Sequence, residues 1–168
     1  MLICGIDPGI GRCGYALVEL TDGNVKVLSY GCLETPSLLS TAERLYVLHQ
    51  RLQEVLACGA EVLALEALFF NKNARTAVNV AQARGVVLLA AAERGIPVAE
   101  YTPPEVKQAV VGYGRAEKRQ VQEMLRRSFG LPDLPKPDDA ADALAVALCH
   151  AQVARFTERT RQGGEKPV

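Results

Sequence analysis

Acidic residues occupy three places in the sequence where carboxylates could do chemistry together. Asp7 and Glu66 each end an apolar run that is typical of a buried strand. The third place, at the start of the last predicted helix, holds Asp138, Asp139 and Asp142. Burying an ionised carboxylate without a partner costs several kcal/mol, so an acid at the end of a core strand is usually supplied with a cation, a metal or hydrogen-bond donors. Asp7 also precedes a Pro-Gly pair, where an Asp often caps its own turn, so this residue alone does not decide between the two interpretations.

Together, these acids would form a set of hard oxygen donors without cysteine or histidine. Such a set suits Mg²⁺ or Mn²⁺ and does not suit zinc. Carboxylates crowded in one pocket raise one another's pKa values unless cations neutralise them, so the cluster favours a site that binds metal. The chemistry most typical of such a site is in-line displacement at phosphorus, in which one ion activates water and another stabilises the leaving oxygen. The sequence leaves open whether one or two ions act.

The adjacent acids Asp138 and Asp139 compete for one role in this set. Spacing does not choose between them, because each can share a helix face with Asp142. Pro137 favours an extended chain before the helix, which would place Asp138 as the N-cap, with its carboxylate accepting from N–H groups of the first turn. We therefore predict that Asp139 is the metal ligand and that Asp138 caps the helix.

The rest of the pattern predicts an α/β fold whose strands deliver Asp7 and Glu66 to one edge of a mixed sheet. Three antiparallel strands are predicted first, followed by two shorter ones, within residues 1–34, 61–66 and 95–101. Helices are predicted over residues 41–57, 73–94, a short segment from 102 to 112, 116–129 and 138 to about 156. A strand that follows a helix is most simply parallel to the first strand, so both acids should leave the sheet on the same side.

Composition limits the class of protein. With 168 residues, 49% of them apolar and 23% charged, the chain fits one globular domain, predicted over residues 1–156, with a polar, flexible tail over residues 157–168. No apolar run is long enough to cross a bilayer and no signal-peptide pattern opens the sequence, so we expect a soluble cytoplasmic protein without a membrane partner. The cysteines are scattered and form no Cys-x-x-Cys pair, which argues against a disulfide framework and a zinc site.

Charge is unevenly distributed along a chain whose net charge is zero. Residues 70–127 carry 10 Lys and Arg against 5 Asp and Glu, whereas residues 1–69 carry 4 against 8. A basic stretch of this kind is what binding to a nucleic-acid backbone requires, although solvated helix faces produce charge runs as well.

Several short motifs occur in order between residues 3 and 151. They are Gly5-Ile-Asp7-Pro-Gly9, Glu66 with Phe69, Asn71-Lys-Asn73, Gln82-Ala-Arg84-Gly85, Val106-Lys107-Gln108, Ala116-Glu-Lys118 and Asp139-Ala-Ala-Asp142-Ala-Leu-Ala. In this combination they resemble the RuvC family of bacterial Holliday-junction resolvases. The resemblance implies a ribonuclease-H-like fold, with a five-stranded mixed sheet flanked by helices, and a homodimer. It also implies Mg²⁺-dependent cleavage of two opposed strands of four-way junction DNA, with Mn²⁺ able to substitute, in collaboration with RuvA and RuvB.

The resemblance also assigns roles to positions of this sequence. The family's metal-binding catalytic acids fall on Asp7, Glu66, Asp139 and Asp142, and Asp138 is an extra acid beside them. The expected DNA-contacting residues are Phe69, Lys72, Arg75, Lys107 and Lys118, and Lys118 is also expected to act in catalysis. Each phosphate contact in this basic segment would add to a salt-dependent affinity.

Phe69 and Phe70 form an aromatic pair just after a predicted ligand. Two aromatic side chains in a predicted loop need either burial in the protein or stacking on bases. The resemblance assigns Phe69 to insertion at the junction centre. Stacking would contribute roughly 1–3 kcal/mol per base. The structural alternative is a loop that folds back over the core.

The predicted helix over residues 73–94 carries a stripe of small residues formed by Ala74, Ala77, Ala81 and Gly85. Small residues let another helix approach closely, so this stripe is either part of the core or the surface that contacts a second subunit.

Two other functions remain open at this point. An actin-like or sugar-kinase-like ATPase lobe also pairs a strand-end Asp with glycines, as Asp7 does with Gly9 and Gly11, but that fold needs two such domains and this chain has room for one. A DNA-binding module that has lost catalysis is the second alternative, and the presence of all four acids argues against it.

Overall fold

A computed structural model describes the backbone of residues 1–67 and 74–163 and the side chains of residues 1–67 and 77–160. An initial run of three strands is followed by a helix, a strand, a helix, a strand and then three helices. The elements are β1 (Leu2–Asp7), β2 (Arg12–Thr21), β3 (Asn24–Glu34), α1 (Thr41–Leu56), β4 (Val62–Glu66), α2 (Ala74–Glu93), β5 (Val98–Tyr101), α3 (Pro103–Val111), α4 (Lys118–Phe129) and α5 (Asp138–Gly163).

The strands form one mixed sheet in the order β3-β2-β1-β4-β5. β2 is antiparallel to both β1 and β3, whereas β4 is parallel to β1 and β5 is parallel to β4. This confirms the predicted sheet of three antiparallel strands followed by two parallel ones. The tight turn between β2 and β3 has positive φ at Asp22 (50°) and at Gly23 (76°), as a two-residue hairpin turn requires.

Helices cover both faces of the sheet. On one face, Val87 of α2 belongs to the same buried cluster as Ile6 of β1, and α1 contributes to that cluster as well. On the other face, Leu125 of α4 and Leu144 of α5 are buried with Ile3 of β1. Because neighbouring residues of β1 point to opposite faces, the apolar run of this strand is buried on both sides, as its composition predicts.

Capping boxes open α1 and α3. At the start of α1, the Glu43 carboxylate accepts from the Ser40 N–H at 2.8 Å and from the Ser40 hydroxyl at 2.6 Å. At the start of α3, the Glu105 carboxylate accepts from the Thr102 N–H at 2.7 Å and from the Thr102 hydroxyl at 2.6 Å. These contacts satisfy backbone donors that have no partner within the helix, so they fix where each helix begins.

The last helix is longer than predicted. α5 continues to Gly163, whereas the sequence predicts that the helix ends at about Phe156. The hydroxyl of Thr157 donates to the Val153 carbonyl at 3.0 Å, and that of Thr160 donates to the Phe156 carbonyl at 3.2 Å. These hydroxyl groups form hydrogen bonds with backbone carbonyls of their own helix, so a polar sequence does not end the helix here.

None of the helices within residues 1–67 and 74–163 is long and apolar enough to cross a bilayer.

Candidate active site

Asp7 and Glu66 end neighbouring parallel strands. The last pair between β1 and β4 joins Ile6 to Leu65, so each acid is the next residue of its strand. Side chains alternate along a strand, and both Ile6 and Leu65 face the layer formed by α1 and α2. Asp7 and Glu66 therefore face the opposite layer, which α3, α4 and α5 form.

The turn after Asp7 is held by other residues. Thr35 donates its N–H to the Gly11 carbonyl at 3.0 Å and its hydroxyl to the Ile10 carbonyl at 2.5 Å, and Arg44 donates to the Thr35 hydroxyl at 2.9 Å. Within the described residues, no hydrogen bond reaches the Asp7 carboxylate. The alternative in which Asp7 caps its own turn is therefore not what the structure adopts.

Two glycines bring α5 against the sheet. A Cβ atom at Gly14 would lie 1.9 Å from the Asp139 carbonyl oxygen, and one at Gly5 would lie 2.2 Å from the Ala143 carbonyl oxygen. Gly14 pairs with Asp7 across β1 and β2. The missing side chain at Gly14 therefore lets the backbone of Asp139 rest directly beside the strand end that carries Asp7.

The acids interact electrostatically. Burial, followed by the charges of Asp142, Glu66 and Asp139, raises the pKa of Asp7 from 3.8 to about 7. The pKa of Glu66 is raised by burial and by Asp142, and that of Asp142 is raised mainly by burial. Protonation is favoured in each case because these carboxylates are desolvated close to like charge.

Cationic side chains flank the acids on two sides. Lys118, the first residue of α4, donates to Asp142 Oδ2 at 2.9 Å and lies 3.3 Å from Asp138 Oδ2. Arg12, at the start of β2, has its Nε 3.2 Å from Asp139 Oδ2. That separation permits an ion pair, but the Asp139 oxygen has no hydrogen-bond partner within the described residues, so the contact is Coulombic without good hydrogen-bond geometry.

The donor set fits a divalent metal ion, although the side chains are not gathered as metal ligands. In residues 1–67 and 74–163, no three Asp, Glu, His or Cys side chains are close enough together to hold an ion. Asp142 and Asp139 instead lie beside Lys118 and Arg12. The hard oxygens, the raised pKa values and the buried Asp139 Oδ2 without a hydrogen-bond partner all match what a hard cation would satisfy. A complete metal site requires rearrangement of these side chains.

The predicted role of Asp138 as helix cap is wrong. The N–H groups of Ala140 and Ala141 both donate to the Pro137 carbonyl at 3.1 Å, so Asp138 is the first residue of the helix and not its N-cap. The Asp138 carboxylate turns away from its own helix, accepts from Gln122 at 3.0 Å and pairs with Lys118. It is 62% exposed, whereas the Asp139 side chain is mostly buried.

The predicted DNA-contacting residues divide into two groups. Lys107 and Lys118 line one cleft beside Glu66 and Asp142, and apolar residues of α3, α4 and α5 form the rest of its wall. Phe69, Phe70 and Lys72 lie outside the described residues, as does the side chain of Arg75 at the start of α2.

Sequence reasoning missed Arg12 as a residue of this site. Arg12 lies next to Asp139 because α5 packs closely against β2, and no local sequence motif predicts this packing.

Comparison with known proteins supplies an independent view of this arrangement. The sequence model of the family described as crossover junction endodeoxyribonuclease RuvC matches residues 3–150. The crossover junction endodeoxyribonuclease RuvC of Moorella thermoacetica is 52% identical over 163 residues, which cover 96% of this chain and 98% of that protein. The protein of the same name from Syntrophomonas wolfei is 51% identical over 158 residues, which cover 94% of this chain and 92% of that protein.

A solved structure matches as well. T. thermophilus RuvC in complex with Holliday junction substrate has a TM-score of 0.87 and 40% sequence identity, covering 94% of this chain and 96% of that one. The ribonuclease-H-like fold that the resemblance implies is therefore confirmed.

Proposed function

The chain belongs to the RuvC family of crossover junction endodeoxyribonucleases, and on this basis we propose that it resolves Holliday junctions by cutting two opposed strands at the site around Asp7. The observation that carries the proposal is that Asp7 and Glu66 end adjacent parallel strands beneath the acids that open α5, with the pKa of Asp7 raised by burial and by those neighbours. An ATPase lobe is disfavoured, because relatives matched over nearly their full length are named as endonucleases.

Asp7, Glu66, Asp139 and Asp142 are the proposed catalytic metal ligands. The family is one of metal-dependent nucleases, and the all-oxygen donor set supports Mg²⁺, with Mn²⁺ as a substitute and one or two ions per site. When bound, such an ion activates water and stabilises the leaving oxygen of the phosphodiester. The four carboxylates fix its position and must be ionised to do so.

The basic residues of the cleft are proposed to bind the DNA backbone. Lys118 is held by Asp142, so its ammonium lies where a scissile phosphate would approach the acids, and we assign it a catalytic role in stabilising developing negative charge. Lys107 lines the same cleft and is assigned to phosphate binding. Lys72 and Arg75 stay predicted DNA contacts, and Phe69 stays the predicted wedge at the junction centre.

A homodimer is part of the proposal. The stripe of small residues on α2 is open to solvent at Ala81 and Gly85, and the large apolar side chains of Val78 and Leu89 beside it are 56% and 54% exposed. A core role for this face is therefore disfavoured, and contact with the same face of a second subunit would cover it. RuvA and RuvB as partners, and the cytoplasm as the location, belong to the same proposal.

The test is cleavage of a synthetic four-way junction in Mg²⁺, with a linear duplex of the same sequence as the substrate that should survive. Asp7→Asn should abolish cutting yet leave junction affinity unchanged or higher, because it removes a metal ligand and a charge that repels phosphate. Asp133→Asn, an exposed acid in the segment before α5, is the matched control and should cut normally. Cutting that is equally fast on duplex, or that persists in Asp7→Asn, would refute the assignment.

A further inference from the structure

Arg84 of α2 reaches the end of the strand that carries Glu66. Its Nη1 donates to the backbone carbonyl of Glu66 at 3.0 Å, and its Nη2 pairs with the Glu100 carboxylate of β5 at 2.5 Å. The Arg84 side chain is only 11% exposed. The planar guanidinium thus has a fixed partner at each terminal nitrogen and bridges three elements: α2, β4 and β5.

The backbone carbonyl of Glu66 lies just beyond the pairing of β4 with β1, where β1 has no further N–H group to donate. The pairing of β4 with β1 ends at Ile6 and Leu65. The residue after Asp7 is Pro8, which has no N–H to donate. Arg84 therefore donates a hydrogen bond to the end of β4 in place of β1. Hydrogen bonds from charged donors are stronger than those between neutral groups.

We propose that Arg84 is a positioning residue for Glu66, fixing the end of β4 so that the carboxylate stays in reach of the other acids. The inference deepens the proposed function and rests on it, since Glu66 must be a metal ligand for its placement to matter. A displacement of about 1 Å at a reacting centre can lower a rate roughly 100-fold. Because Arg84 belongs to α2, it also connects the proposed subunit interface with the acid site.

The first test measures the strand end itself, without metal or DNA. The N–H of Ala67 donates to the Tyr101 carbonyl at 2.8 Å just beyond Glu66, and the N–H of Leu63 donates to the Pro97 carbonyl at 2.9 Å near the other end of β4. In Arg84→Gln, amide hydrogen exchange at Ala67 should accelerate roughly tenfold or more, because the anchor of this end is lost. Exchange at Leu63 should stay unchanged.

The second test measures cleavage of the junction in a single turnover. Arg84→Gln should lower the rate up to roughly 100-fold and raise the Mg²⁺ concentration at half-maximal rate, with junction affinity unchanged. Arg84→Lys, which keeps one charged donor, should recover part of both losses. Glu100→Gln should weaken the bridge and give an intermediate result.

Arg94→Gln is the matched control. Arg94 follows the same helix and also bridges elements, donating to the Gln53 side chain at 2.6 Å and to its carbonyl at 2.8 Å, but it is not in contact with Glu66. This variant should leave Ala67 exchange and cleavage as in the natural protein.

Two outcomes would overturn the proposal. Equal acceleration of exchange at Ala67 and Leu63 would give Arg84 a general role in stability, and unchanged exchange together with unchanged cleavage would give it none. The natural protein could fail to cut junctions while Arg84→Gln accelerates amide exchange at Ala67 and not at Leu63. In that case the proposed function is wrong, and the role of Arg84 in anchoring β4 is still supported.

Discussion

The environment of the Asp7 carboxyl group favours its protonated form. Burial and the neighbouring carboxylates raise its pKa from 3.8 to about 7, so the folded protein binds this proton more tightly than the unfolded chain does. The stability that the bound proton contributes is fully present below pH 3.8 and is lost as the pH rises through about 7. Glu66 and Asp142, whose pKa values are also raised, act in the same direction.

This predicts a pH dependence that one substitution removes. In EDTA, the free energy of unfolding of the natural protein should fall relative to that of Asp7→Asn as the pH rises from about 5 to 8, by at most about 1.4 kcal/mol per pH unit. Urea unfolding of both proteins across this range measures the difference, and groups away from the site, such as Glu123, cancel because both proteins contain them. Parallel curves would contradict the raised pKa of Asp7.

The pair Asp138 and Asp139 gives a second prediction for single residues. Asp139→Asn should eliminate cleavage, because its mostly buried carboxylate is a proposed ligand. Asp138→Ala should keep cleavage and change stability by less than about 1 kcal/mol, because its contacts to Lys118 and Gln122 are largely exposed. Both are measured in single turnovers with saturating Mg²⁺. If Asp138→Ala is the inactive variant, the ligand assignment moves by one residue.

At the level of elements, the site depends on how closely α5 approaches the sheet. Gly5 and Gly14 leave room for the backbone of this helix, and the contact at Gly14 is with Asp139 itself. The distance between β2 and α5 therefore sets the distance between Asp7 and the acids of the helix.

Gly14→Ala should consequently impair activity beyond its effect on stability. The new Cβ would lie 1.9 Å from the Asp139 carbonyl oxygen, an overlap that is relieved only if the backbones of β2 and α5 move apart. We expect a loss of about 1–3 kcal/mol in the free energy of unfolding and a marked drop in the cleavage rate even where the protein remains fully folded. Urea unfolding and single-turnover cleavage on the same preparation check this, and a stable variant with a normal rate would show that α5 tolerates the shift.

The elements also show what sequence can and cannot predict. Strand-end acids, the Asp22-Gly23 turn and the capping boxes at Ser40 and Thr102 are local features of the sequence, and each lies at the boundary of an element in the structure. The extension of α5 beyond Phe156 was missed because polarity was treated as a stop signal, although neither Pro nor Gly interrupts the helix before Gly163.

Side-chain partners at the site were harder to predict. Arg12 meets Asp139, and Arg84 meets Glu66, across elements that are distant in sequence. The orientation of Asp138 is likewise decided by Lys118 and Gln122 of α4, which no pattern around Asp138 reveals.

In the whole molecule, the two helical layers have different tasks. The layer of α3, α4 and α5 lies over the acids, whereas α1 and α2 cover the opposite face of the sheet. The proposed interface on the outer side of α2 would therefore leave the acid sites of two subunits open to DNA. A two-fold axis would present two equivalent sites, which is what two opposed strands of a four-way junction require.

The apolar face of α2 gives the prediction for the assembly. Val78, Ala81, Gly85 and Leu89 follow one another at intervals of three or four residues and share one side of the helix. Leu89→Glu places a charge in this face and should convert a dimer into a monomer in sedimentation at micromolar concentration, since an unpaired buried charge is strongly unfavourable.

Leu38→Glu is the control, because Leu38 is 99% exposed before α1 and outside this face, and its variant should stay dimeric. The monomeric variant should also lose coordinated cutting of the two strands, because each monomer supplies one acid site. A Leu89→Glu protein that still sediments as a dimer and cuts both strands together would place the subunit interface elsewhere on the molecule.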